Sequence, residues 1–292
     1  MFVVFILKLL AQLPFPAIYA LSDFLYLCVR LIHYRKKVVY ANLRNSFPEK
    51  DEKEIKQIAN RFYRHFCDLM LESIKLYSIT EEELDKRVNF KNPELLNSYA
   101  RQGKSVIALG AHYNNWEWCS SLQRFVDHKI LIVFNQIRNN KPMENFLNYS
   151  RERFGSETIS IGRPTQIIRR IMSNEPSCLI LTADQTSPGN SQFWTIFLNQ
   201  ETPFYEGPQR IATMTNMPVI VQTTKKISRG KYEITLVDLI PDPGKVAPEE
   251  ILLAYSEYME NIIKEAPEYW LWSHRRWKHK RPDDIPLTLR HL

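Results

Sequence analysis

A histidine and a glutamate five residues apart, His112 and Glu117, are the side chains whose types and spacing best fit acid–base chemistry. A carboxylate that accepts the Nδ1 proton of an imidazole fixes its tautomer and leaves Nε2 free to take a proton from a substrate. On a regular helix, five residues turn the chain by about 500°, which separates the two side chains by roughly 140°. From Tyr113 onward, apolar residues such as Trp116 and Leu122 fall near helical spacing, so we predict that a helix begins just after His112. The two side chains can meet only if Glu117 lies in the first turns of that helix. On this interpretation the pair is a general base with its orienting carboxylate.

The same two residues also have an interpretation without chemistry. His112 would then cap the following helix, and Glu117 would be a favourable negative charge near the helix N-terminus. Cys119 is close in sequence and could act as a nucleophile, but nothing places its sulfur beside His112. The Gly-x-Ser-x-Gly pattern of serine hydrolases does not occur. The spacing alone leaves both interpretations of His112 open.

The elements that must position His112 follow from the hydrophobic pattern. Residues 106–109 form an apolar run, ended by Gly110, that fits a short strand buried on both faces. Further predicted strands cover residues 129–134, 158–161 and 178–183, and predicted helices cover residues 142–154 and 165–172. This alternation indicates an α/β fold with a mostly parallel central sheet flanked by helices. Because open parallel sheets bind ligands at the carboxyl ends of their strands, His112 and the pair Asp184 and Gln185 are expected at one edge.

Other segments complete the predicted fold. Strands are expected at residues 194–198 and 218–224, and helices at residues 207–217 and 248–264. Residues 231–239 alternate between apolar and polar side chains, which is typical of a half-exposed antiparallel strand. Asp51 and Glu54 have the spacing of a capping box at the start of a helix. The polar run 186–191 predicts a loop that could act as a lid.

Charge and composition limit the classes of partner. The chain has 292 residues and a formal net charge of +7, which favours an anionic partner. Nucleic acid, an anionic membrane, a phosphorylated lipid and an acidic carrier protein all qualify. The four cysteines and seven histidines show no metal-ligand spacing, so we expect no metal.

The N-terminal 34 residues have a different character from the rest of the chain. Residues 2–32 are rich in Phe, Leu, Ile and Val, but Lys8, Pro14 and Asp23 keep them short of a run of about 20 apolar residues. No basic region precedes them, so a cleaved signal peptide is not expected. We predict a hydrophobic membrane anchor or interfacial helices over residues 1–34, followed by a single domain over residues 35–292. An apolar helix pair packed on the domain is the alternative.

Several stretches, in order, resemble one known family. Besides His112 and Glu117 these are YRKKVVYANL at 34–43 with SFP at 46–48, RERFG at 151–155, DQ at 184–185 and PEYWLWSHRRWK at 267–278. Together they cover nearly the whole chain. The chain resembles the bacterial lipid A late acyltransferases, the lauroyl/myristoyl transferase family, within the glycerolipid-type His-x4-Asp/Glu acyltransferase superfamily. Glu117 stands where Asp is also common in that family.

The resemblance implies a reaction and a set of site residues. His112 would be the general base and Glu117 its orienting acid. Arg138, Asp184, Gln185 and Arg210 would bind substrate. The oxyanion donors would come from Arg138, Arg163, Arg210 or the backbone amides of Gly110 and Ala111.

The same resemblance implies substrates and a location. The donor would be an acyl thioester of acyl carrier protein or coenzyme A, and the acceptor a hydroxyl of an anionic lipid A precursor. The enzyme would work at the bacterial inner membrane and face the cytoplasm, as the cations at positions 30–44 also suggest by the positive-inside rule. It would need no cofactor, metal or nucleic acid.

Two alternatives stay open. Residues 205–210, YEGPQR, are similar to the Glu-Gly-Thr-Arg motif of glycerol-phosphate acyltransferases, so the acceptor could be an aminolipid or a lysophospholipid. The chain could also be a basic peripheral membrane or nucleic-acid binding protein in which His112 is only a cap.

Overall fold

Four helices form the N-terminal part of the chain in a computed structural model that describes residues 2–187 and 189–289. They are α1 (Phe2–Gln12), α2 (Phe15–Leu31), α3 (Lys36–Ser46) and α4 (Glu52–Lys75). Helix α4 begins with the predicted capping box. The backbone N–H of Glu54 donates to Oδ1 of Asp51 at 2.8 Å, and the backbone N–H of Asp51 donates to Oε2 of Glu54 at 3.0 Å. The prediction for this helix start is confirmed.

The rest of the chain builds a seven-stranded sheet and a two-stranded ribbon. The short helix α5 (Glu81–Asp85) leads into the alternating part of the chain. The elements that follow are β1 (Val88–Phe90), α6 (Glu94–Ala100), β2 (Val106–Gly110), β3 (Lys129–Phe134), α7 (Lys141–Glu152), β4 (Glu157–Ser160), α8 (Pro164–Ile171), β5 (Ser177–Thr182), β6 (Trp194–Phe197), β7 (Gln200–Pro203), α9 (Gly207–Thr215), β8 (Val219–Ser228), β9 (Lys231–Ile240) and α10 (Pro248–Glu265).

The strand order confirms the predicted α/β class. It is β1-β9-β8-β2-β5-β3-β4, with β6 and β7 forming the separate ribbon. All neighbouring pairs of the large sheet are parallel except β8 and β9, which pair in the antiparallel sense predicted for residues 231–239. Every side chain of β2 is buried, because helices cover both faces of the sheet.

The position of β2 next to β5 matters most for the site. The two strands run in parallel register, with Leu109 opposite Leu181 and Gly110 opposite Thr182. Parallel strands in register end at the same level, so the residues that follow them lie side by side. The loop that carries His112 and the loop that carries Asp184 therefore meet.

The segment after β2 differs from the prediction. A helix was expected from Tyr113 onward, but a 3₁₀ helix begins only at Trp118 and runs to Phe125, and Glu117 is its N-cap. The loop that precedes this 3₁₀ helix forms backbone hydrogen bonds with the C-terminal part of the chain. The N–H of Asn114 donates to the carbonyl of Tyr269 at 3.0 Å, and the N–H of Leu271 donates to the carbonyl of His112 at 3.1 Å. The carbonyl of His112 would have accepted the first hydrogen bond of a helix that starts at Tyr113, so the bond from Leu271 takes a backbone group that this helix needed.

The N-terminal helices pack on α4 and leave an apolar face outward. Their inner contacts include the Ser22 hydroxyl, which donates to Asp68 at 2.7 Å. Large apolar side chains of α1 and α2 are exposed; they are Phe2, Val3, Phe5, Ile6, Leu9, Phe24, Leu27 and Leu31. Within the described residues, no helix by itself has the length and apolar character to cross a bilayer, whereas α2 and α3 together have them across a bend of 88°.

One buried carboxyl, that of Glu72 on α4, joins three parts of the fold. Its Oε1 accepts from the Tyr19 hydroxyl of α2 at 3.0 Å. Its Oε2 accepts from the Tyr232 hydroxyl of β9 at 2.7 Å and from Nδ2 of Asn115 at 2.8 Å. Asn115 lies three residues after His112, so Glu72 fixes the site loop to α4 and to the edge of the sheet.

Replacement of Glu72 by Ala should destabilise the fold. The change leaves the buried Tyr232 hydroxyl and Asn115 amide without their acceptor, and the free energy of unfolding should fall by about 2–4 kcal/mol. Urea unfolding measures this. Glu49→Ala, at an exposed side chain, is the control and should change stability by less than about 0.5 kcal/mol. Equal midpoints for the two variants would show that the Glu72 bonds do not hold these parts together.

Candidate active site

A cavity of about 710 Å³ opens at the carboxyl ends of the central strands. Much of its wall is apolar and comes from β3, β5, α7 and α10 and from the loop before α7; these side chains include Ile132, Val133, Phe134, Ile137, Leu147, Ile180, Leu181, Met259 and Ile262. Its polar wall includes His112, Glu117, Arg151, Gln185 and Lys278. The cavity therefore combines space for hydrocarbon with a small set of groups that can carry out chemistry.

His112 is oriented by Asp184, which follows β5. Its Nδ1 lies 2.8 Å from Oδ1 of Asp184, and its backbone N–H donates to Oδ2 at 2.9 Å. An aspartate carboxylate accepts hydrogen bonds, so this contact selects the tautomer with the proton on Nδ1. Nε2 is then the unprotonated nitrogen of a histidine that lines the cavity.

The Asp184 carboxylate is held by a third donor from the C-terminal part of the chain. Nε1 of Trp270 donates to Oδ2 at 2.8 Å, and Tyr113 forms an isolated antiparallel bridge with Trp270. Asp184 is only 2% exposed. Burial raises the pKa of its carboxyl, but the hydrogen bonds from His112 and Trp270, with the charge that His112 carries when it is protonated, outweigh burial and leave that pKa below its ordinary value. The carboxyl group therefore stays ionised.

The predicted pairing of Glu117 with Nδ1 of His112 is wrong. Oε2 of Glu117 accepts from Nε of Arg151 at 2.8 Å, and Oε1 accepts from a terminal guanidinium nitrogen at 2.6 Å. Nε1 of Trp116 also donates to Oε1 at 3.2 Å. The physical reason is that Glu117 ends the loop ahead of the 3₁₀ helix and faces α7, where Arg151 offers a two-pronged partner.

Glu117 and Arg151 form a buried ion pair in the cavity wall, with side chains 11% and 17% exposed. Burial alone raises the pKa of the Glu117 carboxyl, but the charge and hydrogen bonds of Arg151 outweigh it and hold this pKa below its ordinary value of 4.5. A protonated His112 acts in the same direction. Glu117 is thus a charged neighbour of His112, while Asp184 is its hydrogen-bond partner.

The other predicted site residues occupy two kinds of position. Gln185 lines the cavity. Arg138 is exposed in the loop after β3, next to the lining residue Ile137. Arg210 is exposed on α9 and pairs with Glu206 at 3.0 Å. Arg163 is exposed at the start of α8.

Two residues that belong to the site were not assigned a role from sequence. They are Arg151 and Trp270, and both fall within stretches that match the family, 151–155 and 267–278. A carboxylate in a buried loop needs a cation or N–H donors, so the sequence did carry a signal that Glu117 and Asp184 required such partners. It did not show which residues would supply them.

Neither a thiol nor a metal is favoured as the reactive group. Cys119 lies at the cavity, but burial raises the pKa of its thiol to about 12, which keeps it protonated and a poor nucleophile. In the part of the chain that the structure describes, no group of three or more His, Cys, Asp or Glu side chains is arranged to hold a metal ion. The arrangement best suits proton transfer by His112.

Comparisons with known proteins cover nearly the whole chain. Residues 1–279 match the family described as bacterial lipid A biosynthesis acyltransferase. The chain is 22% identical to the lipid A biosynthesis lauroyltransferase of Escherichia coli K12 over 284 residues, 96% of this chain and 91% of that protein. It is 20% identical to the palmitoleoyltransferase of the same strain over 287 residues, 97% and 92% of the two chains. A solved structure, the 1-acyl-sn-glycerophosphate acyltransferase PlsC of Thermotoga maritima, aligns with a TM-score of 0.39 and 14% identity over 86% of this chain and 96% of that one.

The tautomer of His112 can be checked by nitrogen-15 NMR of the imidazole. We expect the wild-type protein to carry the proton on Nδ1, because Asp184 accepts it. Asp184→Asn should reduce the share of this tautomer from nearly all molecules to a minority, whereas Glu117→Gln should keep it. The reverse pattern would mean that Glu117, and not Asp184, is the partner in solution.

The ion pair of Glu117 and Arg151 should make a measurable contribution to the free energy of unfolding. Arg151→Met leaves a buried carboxylate alone, and the free energy of unfolding at pH 7 should fall by about 3–5 kcal/mol. The double variant Glu117→Leu with Arg151→Met should recover most of this loss. Equal instability of the single and double variants in urea unfolding would contradict the pairing.

The pH dependence of that loss has a defined sign. Because the pKa of Glu117 is lowered in the folded protein, the stabilisation by Arg151 is fully present above the ordinary value of 4.5 and is lost as the pH falls through the lower folded value. The difference in stability between wild type and Arg151→Met should therefore shrink below pH 4.5.

Proposed function

Because the chain belongs to the bacterial lipid A biosynthesis acyltransferases, we propose that it moves a fatty acyl chain from a thioester to a hydroxyl group of a lipid A precursor. The observation that carries the mechanism is the hydrogen bond between His112 and Asp184 at the wall of a largely apolar cavity. An imidazole oriented in this way can take the proton of a hydroxyl group as that group attacks.

The proposed reaction has two steps at His112. The acceptor oxygen bonds to the thioester carbonyl carbon while its proton passes to Nε2. The tetrahedral intermediate then expels the thiolate, which takes the proton back from Nε2. Asp184 stabilises the imidazolium between the two steps. The acyl group passes directly from the thiol to the acceptor, and no acyl-enzyme forms.

The negative charge on the intermediate needs donors. Arg151 lines the cavity beside Glu117, and the turn at Gly110 and Ala111 lines it beside His112. We propose that the turn supplies backbone N–H groups to the oxyanion. Glu117 would then keep Arg151 in place while leaving its positive charge near the reacting carbonyl.

The remaining predicted residues fit substrate contact at the cavity opening. Gln185 lines the cavity, and we propose that it binds the acceptor. Arg138 is exposed next to the lining residue Ile137, and Arg210 is exposed on α9, two residues after the lining residue Pro208. In this proposal both meet a lipid phosphate or an acidic carrier protein. The donor in this proposal is a thioester of acyl carrier protein or of coenzyme A.

The N-terminal helices support a place at the inner membrane. The exposed apolar face of α1 and α2 would enter the lipid, and the cations after it, Lys36, Lys37 and Arg44, would meet anionic headgroups on the cytoplasmic side. An interfacial position of residues 1–34 fits the packing of both helices on α4. This brings the cavity close to lipid substrates.

A deletion strain complemented with variants tests the function. We expect the deletion to remove one acyl chain from lipid A, and wild-type protein to restore it. With purified protein, His112→Ala should lower kcat/KM by about 10²–10⁴-fold, and Asp184→Asn by about 100-fold or more because the imidazole loses its orientation. Mass spectrometry of lipids and initial rates measure these effects.

Asp242→Asn is the matched control, since Asp242 is half-exposed beyond β9 and pairs with Lys245. It should keep full activity. Thermal unfolding must show that all variants are folded. An unchanged lipid A with altered aminolipids or lysophospholipids in the deletion strain would reject the proposed acceptor, and an active His112→Ala would reject the mechanism.

A further inference from the structure

The proposed reaction assigns no function to Gln222, a polar side chain in the cavity wall. Gln222 of β8 lines the cavity and is only 7% exposed. Its Oε1 is buried and has no hydrogen-bond partner among the described residues. A buried carboxamide oxygen without a donor is unfavourable, so this position calls for a ligand group that donates a hydrogen bond.

The direction of the Gln222 side chain follows from strand alternation. Ile220, two residues earlier, packs with Ala108 of β2 and Ile180 of β5 on one face of the sheet, and Val221 packs on the other face. Residues two apart on a strand share a face. Gln222 therefore lies on the face of Ile180, which is itself part of the cavity wall.

Gln222 lies deeper in the sheet than His112. Leu109 is paired with Val221, so Gln222 is level with Gly110, two residues before His112. Two strand residues correspond to about 7 Å. A side-chain carbon at Gly110 would meet only Cγ2 of Thr182, at 3.7 Å, so the glycine leaves space for a ligand beside Gln222.

Because Gln222 lies deeper in the cavity than His112, it is expected to contact the acyl chain of the donor. In the proposed function, on which this inference rests, the thioester carbonyl lies at His112. The bulky charged carrier must stay outside the cavity, so the acyl chain runs inward along the face that carries Ile132 and Ile180. A plain alkyl chain would leave Oε1 of Gln222 unpaired.

We propose that Gln222 determines donor specificity and that the cavity accepts an acyl chain with a hydroxyl group near the thioester, on its second or third carbon. The hydroxyl donates to Oε1 of Gln222. The apolar residues beside Gln222 hold the rest of the chain.

Competition between matched donors tests the proposal on the full-length protein. The probes are acyl thioesters of one chain length, either plain or with a hydroxyl on the second or third carbon. Wild type should prefer one hydroxylated donor in kcat/KM by about 10- to 100-fold. Gln222→Met, which keeps the length of the side chain, should bring this ratio close to 1. Gln222→Leu is a second variant in case the first does not fold.

Gln57→Met is the matched control. Gln57 is exposed on α4 and does not line the cavity, so its variant should keep the donor preference. A wild-type ratio near 1, or a preference that survives in Gln222→Met, overturns the role of Gln222 while leaving acyl transfer intact. Absence of turnover with every donor rejects the proposed function itself, so the two failures are distinguishable.

Discussion

The site depends on one buried carboxylate. Asp184 is almost fully removed from water, and an isolated charge in that position would be strongly destabilising. Three N–H groups offset this cost, two from His112 and one from Trp270. Because one of those donors is the imidazole itself, the interaction that keeps Asp184 ionised is the same one that orients His112. Stability of the fold and orientation of the His112 imidazole are therefore linked at Asp184.

The charges around this pair are balanced. Glu117 is neutralised by Arg151 in the cavity wall, and the buried guanidinium of Arg276 contributes a positive charge that acts on Asp184. Burial lowers the pKa of His274 to about 4, so this nearby imidazole is neutral at pH 7. His112 can thus gain and lose a proton among neighbours whose charges stay constant.

Much of the fold could be predicted because it depends on local patterns. The apolar run of β3 and the capping box at Asp51 appear directly in the sequence and in the structure. The partner of His112 could not be found in this way. Asp184 is 72 residues away and reaches His112 only because β5 is the neighbour of β2. Spacing to Glu117 suggested a contact that depended on a helix starting at Tyr113, and bonds to the distant Tyr269 and Leu271 prevent that helix.

The C-terminal stretch helps to fix the geometry around His112. Its Trp270 donates to Asp184, and its backbone is hydrogen-bonded to the loop that carries His112. The most direct test is a crystal structure with a non-hydrolysable analogue of the acyl thioester. We expect the carbonyl carbon of the analogue within about 4 Å of the position that a hydroxyl bound to Nε2 of His112 would occupy, with Nδ1 still bonded to Asp184. A carbonyl outside the reach of His112, or an imidazole turned to Glu117, would contradict the central claim.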